Sequence, residues 1–291
     1  VQTLAQIREL LDQAGLSPKK SLGQNFLIDH NLIRKLVDAS GVGPGDTVLE
    51  VGPGTGTLTE ELLARDCHVV ACELDDGLAA LNAQRLPTLP GGQRFTLVHG
   101  DCLDSKHAIN PRLIALLAGK RFALVANLPY GAATPLMSLL LVNHPECRTL
   151  AVTIQKEVAD RLAAAPSTKA YGALAVIAQA SCRVERVALA GPECFWPRPD
   201  VTSAMILLRR LERPLTPDLP ALSAFCRVIF AQRRKQLGSL IKGVDWNAAS
   251  GVRPTARAEE LSPAGVVALM HALQAQGWNP PPRLEPGPDV G

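Results

Sequence analysis

No C-x-x-C pair occurs in the sequence. Its cysteines (Cys67, Cys72, Cys102, Cys147, Cys182, Cys194 and Cys226) are seven in number and scattered, which argues against a disulfide framework and against a zinc site. They read as small buried apolar side chains in a reducing cytoplasm. No apolar run approaches the roughly 20 residues of a membrane-spanning helix, and no charged, apolar and small-residue leader opens the chain. The six histidines (30, 68, 99, 107, 144 and 271) form no evident triad or metal cluster. Internal repeats and low-complexity segments are also lacking. The expectation is a cytoplasmic, monomeric protein with neither a membrane nor a metal partner.

What is present supports a large folded chain. At 291 residues and 47% hydrophobic content, it can fill a real core and carry one large domain plus a smaller one. Only the proline-rich stretch from Pro280 to Gly291 reads as a disordered tail, because it offers too little apolar surface to offset ordering entropy. Net charge is only +3, yet residues 213–280 hold eight Lys/Arg against four Asp/Glu. Positive charge is therefore concentrated in the last quarter.

Short β-branched runs alternate with amphipathic stretches through the first two hundred residues. Strands are predicted over 47–51, 68–73, 95–99, 122–126, 150–155, 183–189 and 203–209, with helices over 58–64, 78–85, 135–142 and 156–164. This alternation predicts right-handed crossovers and a mostly parallel sheet, and the last two strands can pair antiparallel at one edge. Two helices precede it: one carries Leu4, Ile7, Leu10 and Leu11, and the other starts at an Asp29 N-cap. "SPKKSLGQNFL" between them reads as a loop, and "ERPLTPDLP" after Leu211 as a linker. Three helical segments (222–230, 234–241 and 263–274) then form a second domain over residues 212–279, following a first over 1–211.

"VLEVGPGTGTLTEELL" sets Gly52, Gly54 and Gly56 between a strand and a helix, where missing Cβ atoms allow a sharp turn and close approach to a ligand. Glu50 lies inside that strand. Glu73 ends the next strand, where an acid can accept hydrogen bonds from both ribose hydroxyls, and Asp101 follows the third. The nucleoside could belong to NAD or to S-adenosylmethionine; the G-x-G-x-G spacing and the acid-bordered strand ends favour the cationic methyl donor. Asp101 alone could equally cap the following helix.

The fourth strand ends in "NLPY". An adenine amine is a poor nucleophile because its lone pair is delocalised into the ring. Acceptance of its hydrogens by the Asn127 side-chain oxygen and the Leu128 carbonyl would turn that lone pair out of the plane. Pro129 fixes the backbone aiming these acceptors, and Tyr130 offers a stacking face worth about 1–3 kcal/mol. No general base is needed, since a methylated amine is acidic enough to lose its proton to water. The bland alternative is a turn-capping Asn with Tyr130 in the core.

Together, "KKSLGQNFL", "EVGPGTGTLT", "ELD", "GD" at 100–101, "NLPY", "IQKEVADRL", "KAYGALAV", "FWPRPDVTS", "FAQRRKQLGSLI" and "RAEEL" closely resemble the KsgA-type (RsmA) ribosomal RNA adenine dimethyltransferases. The resemblance implies a class I S-adenosylmethionine-dependent α/β fold, Rossmann-like, with a small all-helical C-terminal domain. It implies dimethylation of two adjacent adenosines near the 3′ end of small-subunit ribosomal RNA. By position it assigns Gln24, Asn25, Leu27, Gly52 and Glu73, with Leu74 beside it, to the cofactor; Asp101, with Cys102, to the adenine; and Asn127 to both cofactor and target base. Phe195 matches an aromatic that stacks opposite Tyr130, although Phe195 or Trp196 could instead plug the core. This chain departs from the family at Gly131, Ala132 and Ala133, where Asn-Ile-Ser is common and polar groups beside the pocket are lost, and at Asp200, a usually basic position where an acid should weaken phosphate contact.

For RNA, "FCRVIFAQRRKQLGSLIK" puts Arg227 and Arg234 on one side of a continuous helix, with Arg233, Lys235 and Lys242 nearby. Lys19, Lys20, Arg34 and Lys35 extend this surface from the other end of the chain. The competing readings are a large-subunit enzyme of the macrolide-resistance type and a non-catalytic assembly or transcription factor on the same fold.

Overall fold

A computed structural model of the chain describes residues 2–105 and 107–280. The tail expected to be disordered thus lies, beyond Pro280, outside the described residues. Eleven helices are present among the described residues: α1 Leu4–Gln13, α2 His30–Ser40, α3 Thr57–Ala64, α4 Asp76–Arg85, α5 Pro111–Leu117, α6 Tyr130–Asn143, α7 Lys156–Leu162, α8 Ala173–Ser181, α9 Leu219–Ala231, α10 Leu237–Leu240 and α11 Pro263–Ala275. The strands are β1 Phe26–Leu27, β2 Thr47–Val51, β3 His68–Glu73, β4 Phe95–His99, β5 Leu103–Ser105, β6 Ala108–Ile109, β7 Phe122–Asn127, β8 Cys147–Gln155, β9 Cys182–Ala190, β10 Phe195–Trp196 and β11 Ser203–Arg210.

Seven strands form one sheet in the order β4-β3-β2-β7-β8-β11-β9. From β4 to β8 every pairing is parallel. β11 runs antiparallel between β8 and β9. The chain leaves β2 toward β3 and β4 and later resumes on its other side with β7, so the crevice beyond the carboxyl ends of β2 and β7 is the switch point where α/β sheets bind ligands. Val48, Val69, Ala71, Val125, Ala151 and Met205 alternate along the strands and share a core with Ile33, Leu36 and Val37 of α2 and Leu62 and Leu63 of α3. The period-2 pattern meets the helical period there. Deleting a side chain as fully enclosed as Leu36 costs about 2–5 kcal/mol.

Two pieces differ from the sequence reading. "SPKKSLGQNFL" is more than a loop: Lys20–Leu22 makes a 3-10 turn, and β1 pairs antiparallel with β10, Phe26 opposite Trp196 and Leu27 opposite Phe195. Such two-residue strands carry no periodicity a reader of sequence could detect. The helix expected from Pro135 begins five residues earlier, at Tyr130, with Pro129 as its N-cap.

The chain divides into two compact units, residues 2–163 with Cys182–Glu212, and Ala164–Ser181 with residues 213–280. Residues 164–181, placed by sequence in the first domain, join the second. Tyr171, buried, donates to the Leu261 carbonyl at 2.7 Å and meets Phe230 edge to face at 6.0 Å, while Leu215 N–H donates to the Ala180 carbonyl at 2.8 Å. The second unit is helical, but α10 spans only four residues where a helix over 234–241 was expected.

Candidate active site

The site begins with the turn after β2. Gly54 adopts φ +59°, and a Cβ there would stand 2.8 Å from the Phe26 ring. Its N–H donates to Glu73 Oε2 at 3.2 Å and its carbonyl accepts from Asn82 Nδ2 at 2.8 Å. Gly52, at φ +71°, faces Pro129 closely, the nearest ring carbon being 3.1 Å from a would-be Cβ. The turn is thus pressed between β1 and the "NLPY" segment, with positive φ favouring glycine at both positions and the clearance excluding a Cβ at Gly54.

One cavity lies where these pieces meet. It is lined by Gln24, Asn25 and Leu27, by Gly52 and Gly54, by Glu50, Glu73 and Leu74, by Asn127 to Tyr130, and by Phe195. Sequence-predicted residues from five separate stretches are thereby brought together. Gly56, Asp101 and Cys102 do not line it. Gly56 serves as N-cap of α3 at φ +84°. Asp101 is exposed and caps no helix: a strand, β5, follows it, and its carboxylate accepts from Leu103 N–H at 2.9 Å in a local turn. Cys102 is buried, which pushes its thiol up to about 12.

Acids dominate the cavity's charge. Glu73 is 5% exposed and accepts from the N–H groups of Gly54 and Asp75; burial raises its pKa. Glu50 is 1% exposed, and its carboxyl is pushed up to about 8 by burial, against the opposing donation from Thr59 Oγ1 at 2.7 Å and reinforced by the charge of Glu73. The lining includes no Lys or Arg. Such a site suits a cation with a ribose and has no side-chain cation to offer a pyrophosphate.

At the opposite wall, Asn127 Nδ2 donates to the Asn25 carbonyl at 3.0 Å. This leaves its Oδ1 as the free acceptor. Leu128 N–H is held by the Thr153 carbonyl at 3.1 Å. Tyr130 is half-buried, its hydroxyl sharing a hydrogen bond with Ser203 Oγ at 3.0 Å. Phe195, 2% exposed, belongs to the core under β1 and also borders the cavity. Trp196 is occupied elsewhere, stacked on Phe26 at 6.3 Å with Arg8 5.1 Å from its ring centroid. Of the departures, Gly131 is exposed and Ala133 lies on the buried face of α6, and none of residues 131–133 borders the cavity. Asp200 is exposed.

The basic residues separate into two kinds. Arg234, Lys235 and Lys20 are exposed. Arg233 is committed to structure: Nη1 donates to the carbonyls of Lys169 and Tyr171 at 2.8 and 3.1 Å, and Nε lies 3.4 Å from Glu259. Lys242 Nζ donates to the Gly238 carbonyl at 2.9 Å. The helix expected to align Arg227 with Arg234 is not continuous, because α9 ends at Ala231 and Gln232 leaves helical geometry at φ −136°, ψ 60°. Lys19 is ion-paired at 2.7 Å with Asp75, whose side chain is 2% exposed.

Sequence reasoning missed Asp75 and Thr59. Asp75 had a legible signal, an acid immediately before the α4 pattern, and it does cap that helix, accepting from Leu78 N–H at 3.0 Å. Thr59 had none, since its contact with Glu50 depends on how α3 packs on β2.

A family model described as "Ribosomal RNA adenine dimethylase" matches residues 15–275. "Ribosomal RNA small subunit methyltransferase A" of Phenylobacterium zucineum is 41% identical over 280 residues, covering 95% of each chain. The solved "23S rRNA methyltransferase ErmE" is 26% identical with a TM-score of 0.64, covering 86% of this chain and all of that one. A dimethyladenosine transferase from Plasmodium falciparum, 20% identical, shares the fold at a TM-score of 0.72, with 88% of this chain and 99% of that one covered.

Proposed function

Because the chain belongs to the ribosomal RNA adenine dimethylase family, we propose that it transfers two methyl groups from S-adenosylmethionine to the exocyclic amine of each of two adjacent adenosines near the 3′ end of small-subunit ribosomal RNA. The donor set fits that cofactor. In this reading Glu73 accepts from the ribose hydroxyls, Leu74, 50% exposed at the rim, packs on the adenine, and Gln24, Asn25 and the Gly52–Gly54 turn enclose the remainder. Glu50, whose carboxyl is pushed up to about 8, adds negative charge beside the cofactor only as it ionises. When bound, S-adenosylmethionine supplies an activated methyl group on a cationic sulfur.

The chain's own residues prepare the nucleophile. The observation that carries this reading is the orientation of Asn127: with Nδ2 spent on Asn25, Oδ1 accepts one N–H of the adenine amine and the Leu128 carbonyl accepts the other. The lone pair then leaves conjugation and points toward the methyl donor. Tyr130, tethered to Ser203, and Phe195 flank the base. S-adenosylmethionine held there would give up its methyl group to this amine and leave as the neutral thioether, and the proton released from the methylated amine would pass to water. Without a general base, the acceleration comes from alignment and preorganised acceptors. Methylation removes one N–H, so in the second transfer only one acceptor is engaged.

The second unit contributes positive charge, with Arg234 and Lys235 as phosphate ligands. The test is transfer of labelled methyl groups to immature small subunits, with large-subunit RNA as comparison and mass analysis of mono- and dimethyladenosine. Dimethyladenosine in small-subunit RNA alone supports the reading; labelling of large-subunit RNA, or none, overturns it.

A further inference from the structure

Lys19 was expected to touch RNA, yet its ammonium lies against a carboxylate that has almost no contact with solvent. Asp75 Oδ2 accepts from Lys19 Nζ at 2.7 Å and from Gln24 Nε2 at 3.2 Å, while Oδ1 caps α4. Mutual stabilisation shows in both partners: the Lys19 pKa is raised chiefly by its hydrogen bond to Asp75, and the Asp75 pKa is lowered, bonds from Lys19, Leu78 N–H and Gln24 outweighing its burial. Gln24 closes a second link, its Oε1 accepting from Lys19 N–H at 2.7 Å. The 19–24 segment is therefore pinned to the N-terminus of α4, two residues beyond Glu73.

The next residue is Asn25, whose carbonyl holds the amide of Asn127. A side-chain amide has two orientations related by a half-turn, which exchange a donor for an acceptor at the same place. The unwanted one would set Oδ1 against the Asn25 carbonyl and present N–H groups to an amine. We infer that Lys19, Gln24 and Asp75 form a latch that positions Asn127, fixing the Asn25 carbonyl so that the amide oxygen faces the target base; Lys19 is a positioning residue and not a phosphate ligand. This rests on the proposed role of Asn127 and extends it to residues outside the cavity's chemistry.

The test uses the full chain with Lys19→Met, Lys19→Arg and Asp75→Asn, the last retaining a side chain suited to the α4 cap. Two readouts are taken. The first is the side-chain amide signal of Asn127 by nitrogen NMR, with its hydrogen-exchange rate; this needs no turnover. In wild type and Lys19→Arg a single, slowly exchanging amide is expected, and in Lys19→Met and Asp75→Asn a faster-exchanging one. The second is methyl transfer at several salt concentrations. Lys19→Met is expected to lower kcat about tenfold with the salt slope of RNA binding unchanged, and Lys19→Arg to restore it. An unaltered Asn127 amide in both Lys19→Met and Asp75→Asn overturns the latch whatever the activity. A salt slope reduced by about one charge with kcat intact overturns it in favour of phosphate contact. Altered amide signals in Lys19→Met and Asp75→Asn, together with a wild-type protein that methylates no RNA, would refute the proposed function while leaving the latch standing.

Discussion

Replacing Glu50 with glutamine should stabilise the protein and flatten its response to pH. Glu50 sits in β2 opposite Ala71, enclosed by the sheet and α3, with Thr59 as its side-chain hydrogen-bond donor among the described residues. Its carboxyl titrates near 8 when folded and near 4.5 when not. Between those values the native state holds a proton that the unfolded chain has released, so Glu50 costs nothing below pH 4.5 and its destabilisation grows as pH rises to about 8. At 1.36 kcal/mol per unit, the cost at pH 7 is about 3 kcal/mol, and a neutral glutamine of the same shape escapes it. Urea unfolding of wild type and Glu50→Gln at pH 5.5, 7 and 8.5 measures this directly. The gap between the two proteins should widen by about 3 kcal/mol from the lowest pH to the highest. A gap that stays constant would mean that Glu50 ionises alike in both states, and the argument from burial would fail. The same charge faces a cationic ligand, so S-adenosylmethionine affinity should rise with pH toward 8 in wild type and be weaker and pH-independent in the variant, as calorimetry would reveal.

Asn127→Ala should retain cofactor binding by calorimetry but lose methyl transfer at least about a hundredfold, the scale of removing one preorganised group; near wild-type turnover would remove Asn127 from the mechanism. Gly54→Ala forces a Cβ into Phe26 at a dihedral alanine disfavours, and should cost about 1–3 kcal/mol in thermal unfolding together with weakened cofactor binding; an unchanged melting temperature would contradict the contact. Arg234→Glu should weaken RNA binding and flatten its salt dependence while cofactor affinity stays intact. Its neighbour Arg233→Ala should instead destabilise the protein by about 1–3 kcal/mol, by stranding two carbonyls, and equal effects of the two variants on the salt slope would erase the distinction drawn between them.

The large elements were legible because each carries its own period. β2, β3 and β4 begin and end where their β-branched runs do, and Asp29 announces α2 by its hydrogen bonds to Asn31 and Leu32 N–H. Two kinds of feature escaped. β1 and β10 are defined only by each other, so neither has a pattern to find. Arg233 and Lys19 looked like free cations because sequence reports charge and says nothing of the carbonyl or carboxylate that consumes it. Asp101 was ambiguous in sequence for a physical reason: an aspartate after a strand serves a turn or a ligand with the same oxygens. The cavity residues fared better, since the end of a parallel strand at the switch point is a place that topology alone selects.

The pairing of β1 with β10 also orders events during synthesis. Phe26 and Leu27 emerge early but have no strand to join until Phe195 and Trp196 have been made, and Asn25 meets Asn127 across 102 residues of chain. The sheet from β2 to β8 can therefore assemble first, with the N-terminal segment still loose, and such long-range closures come slowly. The nascent enzyme acquires its pocket wall last, so translation itself delays competence until nearly the whole first unit exists.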